Sequence, residues 1–475
     1  MHSLPYLTLD RDVRQVRRSD IDALAAQIRG AALGPSGGRA AVSGGAVSGV
    51  DARGYSISGA TPTALEAYER ALTSFQSWRS GTHAQLSPAL REAPGFVMAH
   101  VLQAYLLLSS RDPGHVRLAR PVLARASELP ANERERLHLA AISAALADHY
   151  ERAKARWSEL LSRYPRDVLG LQVAHAFDYI TGDLDRMNDR VAAVLPAWSS
   201  ELPGYHAVLA MHAFSLEERG EYKRAEDTAR EALTLNAFDA RAHHVMAHVF
   251  EMSERPAAGV RWMNEHIAAW GVDTVVATHC WWHLALFHLA QGQLDRAMAL
   301  YDGRVRAKHS IEISDMIDAS ALLWRIHLLG GNTGTRWTEL ADAWAPTIDD
   351  GFCSFNDVHA MLAFVGARDW DRARRLELAV AEAASRPTRY GETTRLLGLP
   401  ACRALIAFGR RNDTVAIALL ASLPALAHRL GGSHAQRDVL NLTLRHAVER
   451  MRWATRRFGT AQLRIAAPPP RLAPA

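Results

Sequence analysis

From Thr61 to about residue 456 the sequence carries helical periodicity almost without a break, and the pattern repeats every 34 or so residues. Gly220 precedes an Ala225, Ala229, Ala232 ladder followed by Leu233 and Leu235; Gly292 precedes Ala297 and Tyr301; Pro165 closes a segment holding Ala153 and Trp157. The recurrences define helix pairs at 134–167, 168–201, 206–239, 240–273 and 278–311, clearest in the first, third and fifth. More degenerate pairs follow at 315–346, 354–386 and 401–430, and another precedes them at 64–128. Strand-like alternation is absent over any useful length, so the expected fold is all-α. One helix pair cannot bury its own apolar faces, so stacked neighbours must supply a continuous core.

Ser433 with Gln436 three residues on has capping-box spacing, and a terminal helix over 433–456 is expected to close the stack. The tail from Ala466 (AAPPPRLAPA) cannot extend it, because proline lacks a donor and clashes with the preceding turn. Residues 30–54 are rich in Gly, Ala and Ser and read as a flexible linker, behind a short helical candidate at Ser19–Ile28. The expected organisation is therefore 1–54 as helix candidate plus linker, 55–456 as repeat domain and 457–475 as a proline-rich tail.

The chain has 475 residues, of which 48% are hydrophobic, enough for an extended core, and a formal charge of only +5. Its basic residues are almost all arginine and lie among acids; the one modest basic stripe, Arg450–Arg464, reads as a solvated helix end. Non-specific nucleic-acid binding needs more than that, so no nucleic-acid partner is expected. Cys280, Cys353 and Cys402 are too few and too scattered for a disulfide framework and point to a reducing compartment. No apolar run reaching the ~18–20 residues of a membrane span is read, and the N-terminus lacks a secretory pattern. A cytoplasmic protein without a membrane partner is the expectation.

The repeats fit the tetratricopeptide pattern of aromatic, Leu, small and aromatic positions in helix A, then Ala, aromatic and a late Pro in helix B. The segments HYERAKARWSELLSRYPRDVLGLQVAHAFDYITGD (149–183), NAFDARAHHVMAHVFEM (236–252), HCWWHLALFHLAQGQLDRAMALYD (279–302), FNDVHAMLAF (355–364) and LGGSHAQRDVLNLTLRHA (430–447) go further. With FVMAH (96–100), they resemble the tetratricopeptide repeat protein 38 family over most of residues 60–450. The resemblance implies a right-handed tetratricopeptide-like α-solenoid of about eight helix pairs, which forms a pocket if it curls closed. It implies no activity.

Titratable groups crowd two neighbouring repeats. In 240–273, at roughly 100° per residue, His248 lies about 40° and Glu251 about 20° from His244 around the helix, so the three share a face. By analogy with tetratricopeptide repeats, that face and the positions of His279 and Trp282 in the next repeat look into the concave groove, with His283 one turn on from His279. His243 and His288 take aromatic packing positions. Five of these side chains, His244, His248, Glu251, His279 and His283, offer ligands suited to a divalent metal, zinc or iron. The same His244, His248, Glu251 and His283 could act as acid or base, and Trp282 could stack on a ligand.

Other polar clusters could reach the concavity. His175 and Asp178 form an i, i+3 pair; Asn356, Asp357 and His359 open a helix, where Asn and Asp often cap. Arg437 and Asp438 follow a Gly-Gly-Ser turn and read either as a network seating the last helix or as an anion anchor. No P-loop, dinucleotide glycine fingerprint, GxSxG elbow or HExxH motif is present. Three readings stay open: a small molecule bound in a polar concave pocket, an enzyme using the same groups for metal-dependent or acid/base hydrolysis or proton transfer, and an adaptor binding a peptide in an open groove.

Overall fold

The computed structural model describes residues 48–110 and 112–458. The helix candidate at Ser19–Ile28 and the tail from Ala466 lie outside the described residues. The chain is an all-α solenoid of antiparallel helix pairs, tetratricopeptide-like in its A-turn-B units. It opens with a hairpin in which β1 (Ser48–Val50) pairs antiparallel with β2 (Ser56–Ser58). This corrects the linker boundary. Residues 48–54 are part of the fold, because buried Asp51 bonds Arg134 at 2.7 Å and Ser58 N–H donates to Glu135 at 2.8 Å.

Ten helix pairs follow. They are α1 (Pro62–Gln76) with α2 (Thr82–Glu92), α3 (Val97–Leu108) with α4 (Pro113–Ser127), α5 (Glu133–Leu146) with α6 (Tyr150–Arg163), and α7 (Val168–Ile180) with α8 (Leu184–Val194). Next come α9 (Tyr205–Glu218) with α10 (Tyr222–Leu235), α11 (Ala240–Met252) with α12 (Pro256–Glu265), and, after short α13 (Ile267–Trp270), α14 (Ala277–Ala290) with α15 (Leu294–Leu300). The series ends with α16 (Ile313–Leu328) and α17 (Arg336–Trp344), α18 (Ser354–Gly366) and α19 (Trp370–Ala383), then, past α20 (Arg389–Thr393), α21 (Leu399–Gly409) and α22 (Asp413–Leu420). Residues 64–128, taken from sequence as one pair, hold two.

The A helices are buried almost all round, as in α7, where every residue from Val168 to His175 is inside. The B helices bury a single stripe. In α10 that stripe is Ala225, Ala229 and Ala232, all fully buried, whose small side chains let the outer helix sit close to the inner one. Most of the A-to-B turns have one position with left-handed backbone just past helix A. Glycine fills it at Gly182, Gly220, Gly292 and Gly330, but Asp148, Glu254, Arg368 and Arg411 take the same positive φ. A side chain there costs roughly 1–2 kcal/mol. Glu254 and Arg368 are exposed; replacing either by glycine is expected to raise unfolding stability by about 0.5–1 kcal/mol, less than the strain removed because glycine also loosens the unfolded chain. An unchanged urea midpoint in both variants would refute this.

The stack curls on itself at both ends. The α1–α2 connection reaches the loop before α14, where Val275 N–H donates to Trp78 O at 2.9 Å and Ser80 N–H to Asp273 O at 2.8 Å. The C-terminal turn α23 (Leu423–Leu426), short α24 (His434–Arg437) and α25 (Val439–Phe458) fold back toward the middle repeats. The Ser433/Gln436 capping box is present at α24, a short helix separate from α25 rather than the start of one continuous terminal helix. Residues 413–430 form an 18-residue stretch of mean hydropathy 1.2, apolar enough to cross a membrane and missed in the sequence. Here the stretch is broken near Pro424, and Ala416, Leu420, Leu423 and Leu430 belong to the core.

Candidate metal centre and cavity

Helices α11 and α14 bring four histidines into ring contact. His244 and His248 lie one turn apart on α11, with their Nε2 atoms 3.0 Å apart. His279 and His283 repeat that spacing on α14, and ring centroids are 4.9 Å apart for His244–His279 and 4.5 Å for His248–His283. Each of the four offers one nitrogen such that all lie within 4.8 Å of one another. Ring nitrogens sharing one ion at bonds of about 2.1 Å stand roughly 3–4 Å apart, so a small contraction suffices.

Carboxylates fix the rings from outside. His279 Nδ1 donates to Asp318 at 2.9 Å and His283 Nδ1 to Glu251 at 2.8 Å. An ionised carboxylate can only accept there, which places the hydrogen on Nδ1 and leaves each Nε2 lone pair available as a ligand. Glu217 Oε2 stands 3.9 Å from His248 Nδ1. Several buried atoms have no hydrogen-bond partner: His244 Nδ1, His248 Nδ1, His283 Nε2 and both oxygens of Glu217. Buried polar groups are rarely left so, and their concentration in one place marks a site built for something more than its own side chains.

The electrostatics agree. Burial, reinforced by mutual repulsion, holds His244, His248 and His283 well below the usual imidazole range, so they are neutral and able to ligate. Burial pushes Glu251 up to about 7 and, with Glu218 and Glu251 nearby, Glu217 well above the carboxylate range. A dication in the cluster would relieve both effects at once.

The cluster forms one wall of a cavity of about 460 Å³ within the curled solenoid. His244 and His279 face it, while His248 and His283 lie fully buried behind them. Aromatic side chains, Phe75, Trp78, Tyr179 and Phe214, contribute another wall, and Gln436 closes it from the C-terminal turn.

Several expected site residues lie elsewhere. Trp282 does not line the cavity: it is fully buried, with His279 stacked 5.0 Å away and the Arg325 guanidinium 5.5 Å from its ring, so no face is left for a ligand. Glu251 orients His283 rather than standing as a fifth ligand. His175 lines the cavity and bonds Met211 O at 3.1 Å, but Asp178 points away into an ion pair with Arg190 at 2.8 Å. Asn356, Asp357 and His359 are neither caps nor cavity residues. Cys353 is the N-cap of α18, Asp357 bonds Tyr390 Oη at 2.9 Å, and His359 Nδ1 donates to Phe355 O at 2.7 Å. Arg437 is consumed by Glu218 at 3.2 Å, and Asp438 accepts from Asn441 at 3.2 Å. That is a seating network, not an anchor for a free anion. Sequence reasoning missed Asp318, Glu217, Arg241 and Trp78. The acids at Asp318 and Glu217, each within a largely buried helix A, were the available signal for the first two.

His243 and His288 pack outside the cavity, with His243 Nε2 on Ala237 O at 3.0 Å and His288 Nδ1 on Gln293 at 2.7 Å. Burial lowers His243 to about 4. The unfolded chain therefore takes up this proton first as pH falls below 6.5, so the folded form loses stability between pH 6.5 and 4. The loss is at most about 1.4 kcal/mol per pH unit. Denaturant titrations of His243→Gln should show an acid slope shallower than wild type by up to that amount; parallel slopes would exclude it.

No known family model matches the chain. Among solved structures it is similar to the human IFIT1 dimer with m7Gppp-AAAA, at 13% identity over 82% of this chain and 86% of that one, TM-score 0.40. It is also similar to the tetratricopeptide domain of P58(IPK), at 13% identity over 82% and 98%, TM-score 0.19. Likenesses at this level carry no argument about ligand or partner, and the expectation of no nucleic-acid partner rests on charge pattern alone.

Proposed function

We propose that this helical-repeat protein binds a small molecule in its concave cavity against a divalent transition metal, zinc or iron, held by His244, His248, His279 and His283. The observation that carries the reading is the convergence of four imidazoles, two with Nδ1 fixed by carboxylates, around buried nitrogens that have no partner. Neutral nitrogen ligands suit both ions, and Asp318, Glu251 and Glu217 supply compensating charge from the next shell. His244 and His279 edge the cavity, so a bound molecule reaches the ion from that side.

The enzymatic reading draws on a separate observation. Glu251, with its carboxyl near 7 beside His283, is suited to proton transfer at neutral pH, as metal-assisted hydrolysis requires. A peptide adaptor is disfavoured because both ends of the solenoid cover the concavity. The resemblance to the tetratricopeptide repeat protein 38 family adds no activity to choose between the first two.

Elemental analysis after loading with zinc or iron(II) and desalting tests the metal. About one ion per chain is expected, and less than a tenth of an ion per chain with either metal would sink the proposal.

A further inference from the structure

We infer that the cavity selects an oxyanion, a carboxylate or phosphate carried on an aromatic or alicyclic body, and that Arg241 is the residue that receives it. This deepens the cavity reading above and rests on it.

Arg241 lines the cavity yet is only 4% exposed. The other buried arginines each have an acceptor: Arg53 has Glu69, Arg134 has Asp51, Arg190 has Asp178, Arg306 has Glu339, Arg325 has Ala435 O and Arg437 has Glu218. Arg241 makes no ion pair among the described residues, and its Nε has no hydrogen-bond partner. The nearby Asp239 is already engaged by His206 at 2.6 Å and by the backbone N–H groups of Arg241 and Ala242. The guanidinium lies over the Trp78 ring, 4.8 Å away. Burial draws Arg241 down to about 10, with the charge of Asp239 opposing it only in part.

A buried guanidinium without a counter-ion is costly, and its planar fork matches a carboxylate or phosphate. The placement suits a ligand with two ends. Arg241 is three residues before His244 on α11, so an oxyanion seated on it sits one helical turn from the histidine cluster. The Trp78 ring lies beside both, 5.5 Å from the His244 ring, and offers a flat face to the body of such a molecule. The cavity's acidic side chains come from other elements: Asp112 caps α4, while Asp315 and Asp318 belong to α16. Glu312, at the start of α16, is a fourth acid in the lining, and the cavity's other guanidinium, Arg79, donates to Ala269 O at 2.9 Å, so Arg241 is the seat an anion finds without an oxygen acceptor already on it.

Calorimetric titration of the full chain with benzoate, phenyl phosphate and the neutral isostere benzamide tests the inference. Saturable binding of benzoate or phenyl phosphate is expected, with benzamide at least tenfold weaker, and the tighter of the two anions identifies the oxyanion. Arg241→Gln should weaken the anion at least tenfold while melting no lower than wild type in its absence, since it removes an unpaired buried charge. The inference is overturned if neither anion binds, if benzamide binds as well, if Arg241→Gln leaves affinity unchanged, or if that variant melts lower than wild type. Metal content measured on the same samples keeps the two readings apart. A metal-loaded protein that ignores both anions overturns the oxyanion alone; a metal-free protein that binds benzoate through Arg241 overturns the metal alone.

Discussion

Replacing His244 and His283 together by alanine should take bound zinc or iron from about one ion per chain to below a tenth. Two of four converging nitrogens are removed, one from each helix, and neither remaining pair can close around an ion. The stability consequence has a particular form. In the metal-free protein the cluster is a liability, because burial holds His244, His248 and His283 neutral and leaves three ring nitrogens unpartnered. The double variant should therefore unfold close to the metal-free wild type. What it loses is the response to metal: an ion at a thousand times its dissociation constant adds about 4 kcal/mol to wild type, and none to the variant. Asp318→Asn should act more gently, weakening metal about 10–100-fold by loosening His279 while leaving the stoichiometry at saturation intact. Because burial lowers the proton affinity of the ligating rings, metal should also stay bound below pH 6.5, where ordinary histidines compete with protons. A double variant that still carries one ion, or a wild type whose melting ignores metal, would remove the centre.

What could be read from the sequence, and what could not, follows from the range of the interactions. Helix A registers are set by local periodicity, so the shared face of His244 and His248 and the neighbouring His279 and His283 were legible. Repeats with glycine at the left-handed turn, such as Gly220 and Gly292, stood out. The repeat at 240–273 looked degenerate partly because Glu254 occupies that position. The paired acids were harder. Asp318 meets His279 across 39 residues and Glu217 approaches His248 across 31, separations fixed only when successive A helices stack. Trp282 was misplaced because a groove-facing register does not say what will cover it; here Arg325 and His279 do. The β1–β2 hairpin was missed because its apolar content is slight, and a long-range ion pair between Asp51 and Arg134 secures it. Trp78 reaches the cavity only because the solenoid curls through almost 200 residues of chain to bond Val275.

That curl supplies the second large effect. Arg437→Met should destabilise the protein by about 3–5 kcal/mol, because it strands the fully buried Glu218 carboxylate at the end of α9. Glu218→Gln should cost a comparable amount for the complementary reason, leaving a buried guanidinium beside a neutral amide. The pair joins residues 219 apart in sequence, so its contribution is to closure and not to either local helix. In the double variant neither charge is stranded. Its loss of urea-derived stability should then fall short of the sum of the single losses by at least about 1.5 kcal/mol, whereas strictly additive losses would show that the two residues act apart. Closure also reaches the histidines. Gln436, on the same short helix as Arg437, donates to Asp318 at 3.2 Å, and Asp318 holds His279. Loosening that helix should therefore weaken metal about tenfold even though Arg437 touches no ligand atom. Unchanged metal affinity in Arg437→Met would mean that the C-terminal turn seals the cavity without positioning the centre in its wall.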